Sequence, residues 1–399
     1  MPALNGVLAA RGCTATMFAG VPDSEMPRAR RAPAKAAAQE RHAVALATLL
    51  RSNSQDNVIA GGGAVVLVGL LAPGWTDAVH EQAAAALGNL CTSSAQNRNC
   101  VRVCGGIAAL VALLAPGGSA AVHEQAAWVV HNLCADNAQN RDSVRECGGI
   151  AALVALLAPG GSAAVHEQAA RALTNLCLSN AQNCNSVREC GGIAALVGLL
   201  APSSSAAVQG AAAGVLRNLC FDNTQNRDSA RECGGVAALV GLLAPGGSAA
   251  LHELAAWALR NVCVNNPQNR DCVRWCGGLA PLVGLLAPGG PAAVHEQAAV
   301  ALWNVCSDNT ANKDSVRECG GVAALVGLLA PACPAAVHEQ AAGALAMLTC
   351  DNGQCRDAAR ACGAAAALQR VLACASSAAA HERAAAALRN LGHAQQEPH

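Results

Sequence analysis

Residues 138–180 read AQNRDSVRECGGIAALVALLAPGGSAAVHEQAARALTNLCLSN, and the chain on either side repeats that pattern. The triplet Asn175-Leu176-Cys177 near its end has copies at Asn89-Leu90-Cys91, Asn132-Leu133-Cys134 and Asn218-Leu219-Cys220. Near-copies stand at Asn261-Val262-Cys263 and Asn304-Val305-Cys306. Each asparagine follows the last by 43 residues. A fixed period without insertion or deletion marks a stack of like supersecondary units rather than several independent domains.

Three helices can be read in the quoted unit. Asn140 precedes Arg141–Cys147 and is a residue type that caps helix starts, with Asp142 in the first turn suiting the helix dipole. Gly148-Gly149 supply a sharp turn. Ile150, Leu153, Val154, Leu156 and Leu157 then recur at spacings that predict a helix buried almost all round, ended by Pro159-Gly160-Gly161-Ser162. A third helix runs from about Ala163 to Ser179, with Val165, Ala169, Ala172, Leu173, Leu176 and Cys177 as its core stripe. The expected order is short, medium, long. One such unit cannot cover its own apolar faces. Burying a leucine is worth roughly 1.5–3 kcal/mol, so Leu153, Leu156, Leu157 and Leu173 must find cover in neighbouring units.

The expected fold is therefore all-α, a right-handed α-solenoid of about eight three-helix units cut near residues 53, 96, 139, 182, 225, 268, 311 and 354. Residues 1–35 carry no helical period and are read as a disordered tail. Residues 36–394 form the array, opening on a lone helix over about 36–51, and residues 395–399 form a C-terminal tail.

Composition narrows the function. Lys plus Arg and Asp plus Glu both number 26, so the net charge is zero, against a basic surface for nucleic acid. Two Phe, five Trp and no Tyr leave little for base stacking. No apolar run is long enough to span a membrane, and the first residues lack the basic start of a signal peptide. The 21 cysteines include no C-x-x-C. Seven stand before the loop glycine (Cys104, Cys147, Cys190, Cys233, Cys276, Cys319, Cys362), with a second glycine after it in all but the last, where Ala364 follows, and six follow the Asn ladder. Both sets read as small core residues with free thiols, in a reducing compartment, the cytoplasm with the nucleus as alternative. The remainder, Cys13, Cys100, Cys184, Cys272, Cys333, Cys350, Cys355 and Cys374, show no metal-ligand spacing. No cofactor or metal is expected. Residues that recur in every unit cannot form one catalytic constellation, so no enzyme is expected either.

A period in the low forties, G-G-I/V-x-x-L-V-x-L-L and then V-x-E-x-A-A-x-A-L-x-N-L together resemble the armadillo repeat, over nearly everything from residue 36 to 394. Within that family the chain resembles vacuolar, plant and algal scaffolds. HEAT repeats, with two helices and no Gly pair or terminal Asn, are the alternative.

At about 100° per residue, Gln125 and Trp128 share the stripe of Asn132, as Gln168 and Arg171 share that of Asn175. The resemblance implies that this stripe lines a concave groove whose asparagines bind the main chain of an extended peptide. It carries that role to Asn89, Asn132, Asn175, Asn218, Asn261, Asn304 and Asn390, with Met347 breaking the ladder. An amide offers both donor and acceptor to a peptide. The alternative is that the amides bond within the array.

Specificity would rest four residues earlier, at Ala85, Trp128, Arg171, Gly214, Trp257, Val300, Gly343 and Ala386. Import adaptors show W-x-x-x-N in consecutive repeats. Here Trp128 and Trp257 match but stand three units apart, Trp303 is expected to point elsewhere, and the basic run Arg28 to Lys35 is short. An import-type adaptor is thus the second reading, and binding through a convex arginine surface the third. The expected partner is a protein segment, with no nucleic acid and no membrane span, and the chain a monomer.

Two further ladders recur. His80, His123, His166, His252, His295, His338 and His381 are read as solvated helix starts. Arg102, Arg145, Arg188, Arg231, Arg274, Arg317 and Arg360 are read as a salt-bridged surface. The fourth unit departs most, with Ser203-Ser204-Ser205, Gln209-Gly210 and Gly214, and its helix over 207–222 is expected to be the softest of the central array.

Overall fold

The computed structural model describes residues 40–48 (except 42 and 46) and 62–392 (except 93, 375 and 376). The expected tails, Cys13 and the basic run Arg28 to Lys35 lie outside the described residues. So does most of the expected opening helix, though residues described between Glu40 and Thr48 are helical. From Gly63 to Gly392 the described chain holds twenty-three helices and no strand. Its contacts divide it into two units at Gly192/Ile193.

The repeats share one frame, except that the last has a longer second helix, Ala364–Cys374. A first helix of nine residues (Ala138–Glu146) is followed by a second of seven (Gly149–Ala155) and a third of fifteen (Ala163–Cys177). The first helix is thus longer than the second, the reverse of the expected order, because it begins before Asn140. Asn137 is its N-cap, accepting the Asn140 N–H at 3.0 Å. Asn180, Asn223, Asn266, Asn309 and Asn352 cap the later first helices in the same way. Just before each stands a residue in the left-handed region, from Asp136 (φ 47°) to Asp351 (φ 47°), always Asp, Asn or Ser. Those short polar side chains tolerate that conformation best after glycine.

The Gly pair divides two tasks. Gly148 takes φ 78°, and a Cβ on Gly149 would stand 2.5 Å from Val144 and 2.9 Å from Val111 of the preceding repeat. The second helix is not buried all round: Ile150, Leu153, Val154 and Leu157 are buried, whereas Ala151 and Ala155 are exposed. With only two turns, its outer face has nothing above it. Third helices carry the core. Ala126, Ala127, Ala169 and Ala170 are fully buried in the first unit, and Ala255, Ala256, Ala298 and Ala299 in the second. Such alanine pairs let third helices approach closely, while Leu173, Leu259 and Leu302 fill the layer beneath.

The histidine ladder corrects the expectation of solvated helix starts. Nε2 of His123, His166 and His295 donates to the carbonyls of Ala115, Ala158 and Ala287 at 3.1, 3.0 and 3.0 Å, and all three rings are buried. His80, His252 and His338 make the same bond; His381 is exposed. The imidazole thus latches the loop that ends the second helix onto the third. In the fourth repeat Gln209 donates to the Ala201 carbonyl at 2.9 Å, so the latch survives the change of residue.

The cysteine reading holds for one set only. Cys91, Cys134, Cys177, Cys220, Cys263 and Cys306 are buried, and burial pushes the Cys91, Cys134 and Cys263 thiols up to about 12. Those before the Gly pair are exposed or half-buried, because they end the first helix on its outer side.

Candidate functional site

The Asn ladder stands on the third helices, and its amides are engaged within the array. In the first unit, Asn132 Nδ2 donates to the Gly88 carbonyl at 3.3 Å and Asn175 Nδ2 to that of His131 at 2.9 Å. In the second, Asn261 donates to Arg217 at 2.8 Å, Asn304 to Arg260 at 3.3 Å and Asn390 to Ala346 at 2.9 Å. Each carbonyl lies 44 residues back, one place before the preceding ladder position. Asn89 and Asn218 hold the corresponding places, and Asn218 Oδ1 accepts from Arg217 Nε at 3.1 Å. Among the described residues no donor reaches Oδ1 of Asn132, Asn175, Asn261, Asn304 or Asn390, so each keeps an acceptor after serving the stack.

A second asparagine ladder is more deeply committed. Asn140, Asn183, Asn226, Asn269 and Asn312 are fully buried in the first helices. Asn269 Nδ2 donates to the Val262 carbonyl at 2.9 Å and to that of Arg227 at 3.1 Å. Arg141 Nη1 and Arg270 Nε reach the carbonyls of Cys134 and Cys263 at 3.2 and 3.1 Å. These side chains satisfy the last carbonyls of the preceding third helix, which have no partner within the helix. Asn140 is therefore a buried terminator, not the cap its position suggests.

In the second unit the ladder borders a recess of about 610 Å³ lined by Phe221, Arg260, Asn261, Glu296, Gln297, Val300, Trp303, Asn304, Gln340 and Arg383. Trp303 lines it beside Val300 and Asn304, contrary to the expectation that it points elsewhere. One residue before the ladder is still within the polar face. The Arg383 guanidinium lies 4.7 Å from the Trp303 ring, and Gly343 leaves room for the indole, since a Cβ there would stand 2.5 Å from it. Arg383, which stands where most repeats have glutamine, and the small Gly343 at a variable position are the signals that could have placed Trp303. Arg383 also pairs with Glu339 at 3.4 Å and with Gln340 Oε1 at 2.6 Å.

The other expected specificity residues differ among themselves. Trp128 is half-buried over Gly88, where a Cβ would overlap its ring. Trp257 lies under the Arg217 guanidinium at 4.4 Å. Arg171 is exposed and pairs with Glu167 at 3.4 Å. Gln125 and Gln168 are half-buried, and Oε1 atoms of Gln168 and Gln297 are buried without a partner. Burial, then the charges of Glu253 and Glu339, raise the Glu296 carboxyl above its ordinary range. Burial and then Arg383 lower the Arg260 guanidinium. The recess thus holds strong charges of both signs at one edge of an apolar wall.

Six members of the arginine ladder form the salt-bridged surface expected, among them Arg145 with Asp142 and Glu146, Arg231 with Asp228 and Glu232, and Arg317 with Glu318, whereas Arg102, with Asn99 and Val103 in the acidic places, has no ion pair among the described residues. Among the described residues no three His, Cys, Asp or Glu are placed to hold a metal, and no helix is long and apolar enough to cross a membrane.

Comparison with known proteins agrees with this architecture. Armadillo/beta-catenin-like repeats match at residues 94–135, 137–178, 180–221, 223–264 and 266–307, more than half of the chain. An engineered protein solved as structural-genomics target OR497 aligns over 89% of this chain and 95% of its own, at 25% identity and TM-score 0.70. Another, target OR366, aligns over 61% of this chain and 98% of its own, at 30% identity and TM-score 0.57. A designed armadillo repeat protein aligns over 61% of this chain and all of its own, at 24% identity and TM-score 0.56, a likeness of fold. No curated protein matches. Repeat, frame and ladder agree: the chain belongs to the armadillo/beta-catenin-like repeat family, an α-solenoid scaffold of the kind that generally serves protein–protein interaction rather than chemistry.

Proposed function

We propose that the third-helix face of residues 193–399 binds an extended segment of another protein, whose main chain runs over Asn261 and Asn304 and whose side chain enters the recess beside Val300 and Trp303. The observation that carries this reading is a set of acceptors without donors: Gln297 lines the recess and its Oε1 is buried and unpartnered, and Asn261 and Asn304 keep Oδ1 after bonding the array. A buried acceptor left unpaired costs about 1–3 kcal/mol, which an incoming peptide N–H would recover. Arg217 and Arg383 already cover Trp257 and Trp303. That leaves little cage for a lysine and disfavours the import-type reading.

The test is selection of displayed random peptides on the full chain, with the winners re-measured on variants. Val300→Arg fills the recess without touching an array hydrogen bond. It should weaken selected peptides at least tenfold, about 1.4 kcal/mol, while Arg317→Glu on the outer surface leaves them unchanged. The opposite pattern would move the binding site to the arginine surface and end this proposal.

A further inference from the structure

We propose that Cys272–Cys276, and in parallel Cys100–Cys104, are two-coordinate dithiolate sites for a soft monovalent cation of the Cu(I) class. The two sulfur atoms of Cys272 and Cys276 lie 3.9 Å apart, one turn apart on the helix Pro267–Trp275 and at its end. Cys100 and Cys104 hold the same two places, four residues apart, on the helix Ala95–Val103 and at its end. Two metal–sulfur bonds of roughly 2.3 Å span about 3.8 Å at the tetrahedral angle and about 4.6 Å when linear, so a cation fits between the sulfurs with little movement. All four thiols are half-buried and reachable.

The identity of the ion follows from what is missing. Structural zinc takes four ligands, and among the described residues no third His, Cys, Asp or Glu joins either pair. Thiolate softness with a coordination number of two selects Cu(I). Binding is a balanced exchange: one Cu(I) and two thiols give a bis-thiolate complex of net charge −1 and two released protons.

The chain contains its own controls. Ser143, Ser186, Ser229 and Ser315 occupy the place of Cys100 and Cys272, while Cys147, Cys190, Cys233 and Cys319 keep the second cysteine. In those four repeats a glutamate precedes the second cysteine and pairs with the adjacent arginine. In the two dithiol repeats that glutamate is Val103 or Trp275, 75% and 71% exposed. Both changes occur together, twice, and nowhere else among those six repeats.

The experiment is titration of the reduced full chain, without oxygen, against Cu(I) held by a chromophoric Cu(I) chelator. The expected result is two tight equivalents, one in Cys272→Ser, one in Cys100→Ser and none in the double variant. Serine already serves that position in four repeats, so the variants keep the fold. A double variant that withdraws as much copper as the parent would place the metal on other thiols and overturn the proposal, as would a parent chain that withdraws none. Loss at one pair alone would overturn it for the other.

Discussion

The two asparagine ladders can be ranked by replacing one member of each. Asn269 is fully buried; its amide donates to two backbone carbonyls and its Oδ1 accepts from Arg231 Nη1 at 3.2 Å. Leucine has the same branched skeleton, with bulkier methyl groups, and no donor. Asn269→Leu leaves the carbonyls of Val262 and Arg227 without that partner, at about 1–3 kcal/mol each. Partial relaxation of carbonyls that keep a second lone pair brings the expected total to about 2–4 kcal/mol. Asn304→Ala loses one bond of 3.3 Å from a half-buried group, about 1 kcal/mol. A repeat array need not unfold in one step, so the readout is local: hydrogen exchange of amides in Ala249–Cys263 and Pro267–Trp275. The chain supplies the converse case, since Cys355 holds this position in the last repeat and reaches only the Lys313 carbonyl, at 3.6 Å. Cys355→Asn should slow exchange in Gly353–Ala361. Equal or smaller loss from Asn269→Leu than from Asn304→Ala would refute the reasoning that buried termination, not the outer ladder, holds successive repeats together.

Two more outcomes follow from the same structure. Burial, more than the Arg171 charge, lowers the His131 imidazole, and this outweighs the bond to the Arg171 carbonyl. Unfolded histidine, near 6.5, then takes a proton before the folded form does, so the local stability of Ala120–Cys134 is full above that pH and falls as pH drops below it. His131→Gln should flatten this dependence in exchange rates corrected for pH. Gly210 sits within Ala206–Cys220 with only Leu254 Cδ1 near a would-be Cβ, at 3.6 Å. Gly210→Ala should stabilise that helix by about 0.5–1 kcal/mol, and unchanged exchange there would refute the expectation that glycine softens the fourth repeat.

The architecture was legible because its causes are local and repeated. Leucine spacing and the Gly pair each act within one repeat, whereas Ser162, read only as part of the loop, also caps the third helix. What escaped depends on offsets between repeats. Asn140 looks like a cap because caps are local; its buried role needs Leu133 seven residues back and Arg98 in the previous repeat. His166 looks solvated because Glu167 and Gln168 follow it, yet the loop folds back to offer the Ala158 carbonyl. The exchange of histidine for Gln209 in the fourth repeat was the available hint, since both keep a side-chain N–H at that place. Trp303 was misplaced for a different reason: a helical wheel gives direction, but the width of a face is set by how far the next helix stands away, and Gly343 widens it.

This division of labour decides how the binding reading can be tested. Asn304 serves the array with Nδ2 and offers Oδ1 to a ligand, so Asn304→Ala removes both and any lost binding would be ambiguous. The ambiguity is physical, because the outer ladder donates the bond that stacks one third helix on the next. Val300 and Gln297 have no such bond to the array, and Gln297 Oε1 is already unsatisfied. Gln297→Leu therefore removes a buried polar cost from the free chain while deleting an acceptor from the complex. If a peptide N–H meets that oxygen, the variant becomes more stable alone and binds less tightly. If the oxygen has no ligand, stability rises and affinity does not change. Opposite signs in two measurements on one variant separate a site kept for recognition from a packing defect.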